Sequence, residues 1–97
     1  MQMNAATFDK IEKEDIPTLK FPDEEVLMDN EKIKERAREL NRALLLGNLE
    51  RTKIQIYFED DTTSQVVETT VWGVTDKRVI LKKGIVIPIK RIHQIKI

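Results

Sequence analysis

The chain reads as a mainly β protein, with an N-terminal α-helix followed by a five-stranded, strongly bent antiparallel barrel. Three observations predict this. The apolar period changes from helical to alternating just past Asn48. Residues 79–97 are dense in β-branched side chains, which suit a pleated core. Residues 52–97 hold five short alternating runs set end to end with almost no loop between them, as in a small, strongly bent barrel.

Residues 1–28 read as an acidic, largely extended or mobile arm, and residues 29–97 as the helix plus the small barrel. Ile16-Pro17 and Phe21-Pro22 are extended dipeptides, because proline disfavours helix at the residue before it. Phe21, apolar in a polar surround, is positioned to pin the arm to the barrel. The helix spans about Glu31 to Leu46, capped by Asp29 or Asn30 and ended by Gly47 in a left-handed conformation. Ile33, Ala37, Leu40 and Leu44 form one narrow apolar stripe along it.

In the first strand Ile54, Ile56 and Phe58 share one face, opposite Lys53, Gln55 and Tyr57. Glu59-Asp60-Asp61 leads into a polar turn rather than a spaced cation-binding loop. The second strand, about Gln65 to Val74, is apolar on both faces and bends at Gly73 to join both halves of the barrel. Trp72 is assigned to the core ahead of a role as a stacking platform. Arg78 to Lys82 forms the third strand, and Lys83-Gly84 signals a hairpin into Ile85, Ile87 and Ile89. A corner at Lys90-Arg91 leads to the closing strand, His93 to Ile97.

Zero net charge hides a gradient. Residues 1–31 carry nine acids against three bases, while residues 51–97 carry nine bases against five acids. An acidic arm beside a basic barrel raises the prospect of a nucleic-acid partner. Enzyme chemistry is poorly provided for, since the chain has one histidine, no cysteine and no phosphate-cradling glycine loop. No metal site or cofactor is expected. The lack of cysteine suits a cytoplasmic setting, and no apolar run is long enough to span a membrane.

The candidate binding residues are Tyr57, as a stacking aromatic, with Arg78, Lys82, Lys90 and Arg91 as a basic strip. The same lysines also serve a structural purpose on exposed strands, where they block edge-to-edge aggregation.

The order helix, five strands, bent second strand and short corner resembles the Sm-like (Hfq-type) RNA-binding proteins, within the broader class of SH3-like small barrels. The likeness is carried by Lys53-Ile54-Gln55-Ile56-Tyr57-Phe58, by Asp76, and by Ile85-Val86-Ile87 leading to Ile92. It implies rings built by strand-edge pairing and RNA bound along a pore. The sequence departs from that pattern at Glu59-Asp60-Asp61, where the family favours glycine, and at Pro88, which removes a donor from strand four. Thr75 to Ile80 resembles a hairpin of pleckstrin-homology-like domains, but those place their helix last. The expected function is a non-catalytic binding module for RNA or another polyanion. The alternative is a protein-interaction or self-assembly module with no nucleic-acid binding, meeting a second copy (a homo-oligomer) or a protein partner through the Leu40/Leu44 helix stripe and a strand edge.

Overall fold

Two short β-sheets face each other across the core, with a long helix over one seam between them and the N-terminal arm over another. The computed structural model describes residues 8–97, so the part of the acidic arm before Phe8 lies outside the described residues.

The helix, α1 (Asn30–Glu50), begins where the Asp29 carboxylate accepts the Glu31 N–H at 2.9 Å. It runs past the expected stop, because Gly47 lies inside it. A β-carbon at Gly47 would collide with the carbonyl oxygen of Val71, so glycine is required for close approach rather than for a turn. Arg51 ends the helix instead, with φ 54°. Its N–H reaches the Gly47 carbonyl at 3.1 Å, and the Thr52 N–H reaches the Leu46 carbonyl at 3.3 Å.

The first sheet contains β1 (Asp9–Lys10), β2 (Ile54–Glu59), β3 (Ser64–Thr69) and β7 (Ile92–Lys96), in the order β1-β3-β2-β7. Only the β1–β3 pair is parallel. The second sheet is the antiparallel meander β4 (Val71–Val74), β5 (Arg78–Leu81) and β6 (Val86–Pro88). Lys82–Gly84 closes its hairpin, with Lys83 at φ 69° and Gly84 at φ 79°.

This corrects the expectation of a closed five-stranded barrel. The long second strand divides at Thr70 into β3 and β4, which belong to different sheets. Among the described residues no ladder joins β6 to β7, where the 3₁₀ corner Ile89–Arg91 turns the chain. Side chains fill what hydrogen bonds leave open. α1 packs against β4 and β7, contributing Leu40 and Ala43 to the core. The 3₁₀ helix Lys13–Thr18 of the arm packs against β3 and β6 and buries Ile16 to 1% exposure. Ile54, Ile56 and Phe58 alternate inward from β2 as the period of two requires, meeting Val67, Val71, Leu81, Ile87 and Ile92.

Residues 8–28 of the arm lie docked on the domain, with the 3₁₀ helix Lys13–Thr18 between extended stretches. Ile11 N–H bonds the Val66 carbonyl at 3.0 Å, and Phe21 leans on Phe58 with ring centroids 6.1 Å apart. The firmest tether is ionic. Arg36, 5% exposed on α1, donates to both carboxylate oxygens of Glu25 at 2.8 and 2.6 Å and to the Ile92 carbonyl at 2.8 Å. Burial pushes the Glu25 carboxyl up, but hydrogen bonds from Arg36 and the Leu27 N–H outweigh that and hold it below 4.5.

Two outcomes test these packing arguments. Glycine to alanine in an open helix gains about 1 kcal/mol. Gly47→Ala should instead destabilise by about 2–3 kcal/mol, because a backbone carbonyl must shift, and urea unfolding reads the sign. The Glu25 carboxylate is favoured in the folded state, so its contribution is full above pH 4.5 and lost as pH falls through its lowered value. Glu25→Gln should therefore cost about 3 kcal/mol at neutral pH, the low end for a buried pair since water reaches Glu25, and flatten the acid limb. An acid limb as steep as that of the parent would contradict this.

Candidate binding surface

The residues read from the sequence as one strip are dispersed by the fold. Tyr57 lies on the outer face of β2, half-buried, with the Phe8 ring edge-on to it at 5.1 Å. Phe8 also covers His93, whose ring centroid is 5.7 Å away. His93 is the extra residue of a β-bulge, because Tyr57 pairs with Gln94 while Phe58 pairs with Ile92. Burial lowers the His93 pKa below 6.5, and Glu59, at 3.7 Å, pulls it partly back.

Arg91 is committed to holding the structure. It is 7% exposed, and its guanidinium donates to three carbonyls, those of Glu59, Glu24 and Asp60, at 3.2, 2.8 and 3.0 Å. Burying a guanidinium requires such a set of acceptors, and the arm and the β2–β3 turn provide them. Lys90, its exposed neighbour, is paired with Asp23 at 3.5 Å. The Asp60 carboxylate is also spoken for, accepting the Thr62 and Thr63 N–H groups at 2.9 and 2.7 Å. Burial pushes its pKa up, but those bonds win and the carboxyl stays below 3.8. Among the described residues no three His, Cys, Asp or Glu side chains gather as a metal-binding group.

Arg78 and Lys82 open onto different clefts. Arg78 and Lys90 border a groove of about 680 Å³ between α1, the arm and the second sheet. Its apolar floor includes Phe21, Ile33 and Leu40, and its rim mixes Asp23, Glu25 and Asp76 with the cations. An anion entering there meets the protein's own carboxylates. Lys82 sits beyond the end of β5 and borders a second cleft of about 550 Å³ with Asn48, Arg51, Lys53, Thr70 and Trp72.

The second cleft is built by the crossing of the chain from one sheet to the other. Thr70, between β3 and β4, accepts the Lys82 N–H at 3.1 Å through its carbonyl. Its hydroxyl donates to the Arg51 carbonyl at 3.4 Å. The backbones carrying Arg51 and Lys82 are thereby fixed to one residue. Among the described residues no ion pair engages Arg51, Lys53 or Lys82, and no carboxylate borders the cleft.

Trp72, assigned to the core from its sequence, is 52% exposed. It lies opposite Val71, which faces inward, as alternation dictates. The other half of the supposed barrel that would have covered it is not there, because β4 turns its outer face to solvent. Arg51 and Lys53 were also missed, since their proximity to Lys82 exists only after β2, β4 and the helix end are brought together. Trp72-Gly73 inside a strand was the available signal, as glycine there marks a bulge.

No helix of the described residues is long and apolar enough to cross a membrane. No protein-family model, curated protein or solved structure matches this chain.

Proposed function

We propose that this protein is a non-catalytic binding module for polyanions, RNA foremost, acting through the cleft bordered by Arg51, Lys53 and Lys82. The observation that carries this reading is their convergence on one carboxylate-free cleft, while Arg36, Lys83, Lys90 and Arg91 each have an acidic partner. Phosphate backbones bind such clusters by releasing counterions, with no need to read sequence. Of the residues first considered, Lys82 stays central. Arg78 and Lys90 form a secondary basic region on the larger groove, and Tyr57 and Arg91 leave the binding set.

The resemblance to Sm-like and SH3-like small barrels belongs to this proposal. It is supported by the direct passage of the chain from β3 into β4 of the other sheet and by the 3₁₀ corner before the last strand. Two backbone bonds of the hairpin, from the Leu81 N–H to the Ile85 carbonyl and from the Ile89 N–H to the Lys77 carbonyl, turn Pro88 toward the free edge of β6. Pro88 cannot donate there, so an intersubunit ladder along that edge is weakened.

One observation favours a second reading, self-association or a protein partner. The expected contact residues are used inside, with Leu40 buried and Leu44 packed on the core. Leu45 and Leu49, one helical turn apart, remain exposed on α1.

Binding of a fluorescently labelled single-stranded RNA should weaken linearly in log–log salt plots, with a slope near −0.7 per phosphate contacted. Three cations predict a slope of about −2, reduced by about 1.4 in Lys53→Ala/Lys82→Ala. Absence of binding at low salt, or an unchanged slope in that variant, removes the proposal. Leu45→Glu/Leu49→Glu should leave the mass from light scattering unchanged if the polyanion reading is complete. A smaller particle would favour assembly through α1.

A further inference from the structure

We infer that the cleft beside Trp72 receives an unpaired nucleobase, so that the partner is single-stranded nucleic acid rather than duplex or a base-free polyanion. This rests on the polyanion reading above and names its ligand.

The argument starts from an unfavourable exposure. Trp72 is the single tryptophan of the chain and, among the described residues, the only aromatic that is both large and exposed. Leaving half of an indole in water forgoes stabilisation that the nearby core could provide. Alternation from the inward Val71 turns it outward, and a backbone device sits at the same place. Val71 pairs with Leu81 and Gly73 with Ile80, so Trp72 is the unpaired residue of a β-bulge. Bulges of this kind re-aim a side chain and bend the strand. Gly73 belongs to the same device, because a β-carbon there would press on the Ile80 side chain at 3.3 Å.

The surroundings select the ligand. The indole shares its cleft with Arg51, Lys53 and Lys82, and among the described residues no aromatic ring lies against it. A wholly apolar partner would have to desolvate three cations to reach Trp72, which is costly without matching anions. A nucleotide offers both halves, a flat π-face for the indole and a phosphate for the cations. The cleft volume, about 550 Å³, lies within the ~300–1,000 Å³ usual for small-ligand sites, ample for one nucleotide unit. In a duplex each base face is already covered by its neighbours, so only an unpaired base can stack there.

Arg51 adds to the case. It holds a left-handed backbone that favours glycine, yet it is an arginine, and the Thr70 hydroxyl anchors its carbonyl. Strain of this sort gathers where a side chain is needed in place. With Lys82 tied to the same threonine, little backbone ordering is left for the binding step.

Trp72 supplies its own probe. Its intrinsic fluorescence is followed on titration with a single-stranded oligouridylate, a duplex RNA of equal charge and inorganic polyphosphate. The single strand should quench the emission, and the other two should not. Trp72→Ala should lower the ratio of oligouridylate to polyphosphate affinity by about 5- to 150-fold, the range for one stacked base. Trp72→Phe should recover part of it, and circular dichroism checks that both variants fold. Salt-sensitive binding of all three polyanions with unchanged emission, or equal loss for all three in Trp72→Ala, overturns the stacking site while leaving the polyanion reading intact. Binding of none of them overturns both.

Discussion

The structure depends on one close approach, the helix backbone at Gly47 against the strand backbone at Val71. It occurs next to Thr70, where the chain leaves the first sheet and enters the second. A side chain at Gly47 would hold α1 away from β4 and open the seam that Leu40 and Ala43 fill. Because the helix comes so near, Arg51 can reach Thr70, and the hairpin end at Lys82 is bonded to the same residue. A requirement of packing thus places three cations and an indole around one opening.

Charge is distributed by a second constraint, the cost of burying guanidinium groups without acceptors. Arg36 and Arg91 both lie inside, and the same short piece of arm serves both. Glu25 meets Arg36 with its side chain, and Glu24 meets Arg91 with its carbonyl. The acidity of the arm is therefore partly structural. Glu14 approaches Lys83 and Asp23 approaches Lys90, which neutralises cations on that side of the domain. The basic residues left without such partners at the Trp72 cleft owe their availability to where the arm does not go.

Much of the local structure was legible in the residues. Ile54, Ile56 and Phe58 alternate, so their inward face follows from the geometry of a strand. Asp29 caps the helix, and the Lys83-Gly84 hairpin forms where its glycine stands. The stop of the helix was not legible, because Gly47 offers the usual left-handed stop while Arg51, which takes that conformation, carries no such local signal. Arg91 looked like any surface base beside Lys90, and nothing local distinguishes the buried one from the exposed one. What separates them is a trio of carbonyls, from residues 24, 59 and 60.

The sequence by itself determined that a capped helix precedes the main strands, that Ile54, Ile56 and Phe58 face inward, and that acid is segregated from base, since each follows from local spacing and composition. Tertiary structure alone decided that two sheets stay unclosed, that the arm fills a seam with Ile16, and that Trp72 faces water beside Arg51, Lys53 and Lys82. The physical reason is range. Periodicity reports which side of an element is apolar, whereas burial and charge clustering depend on what another part of the chain brings to that side.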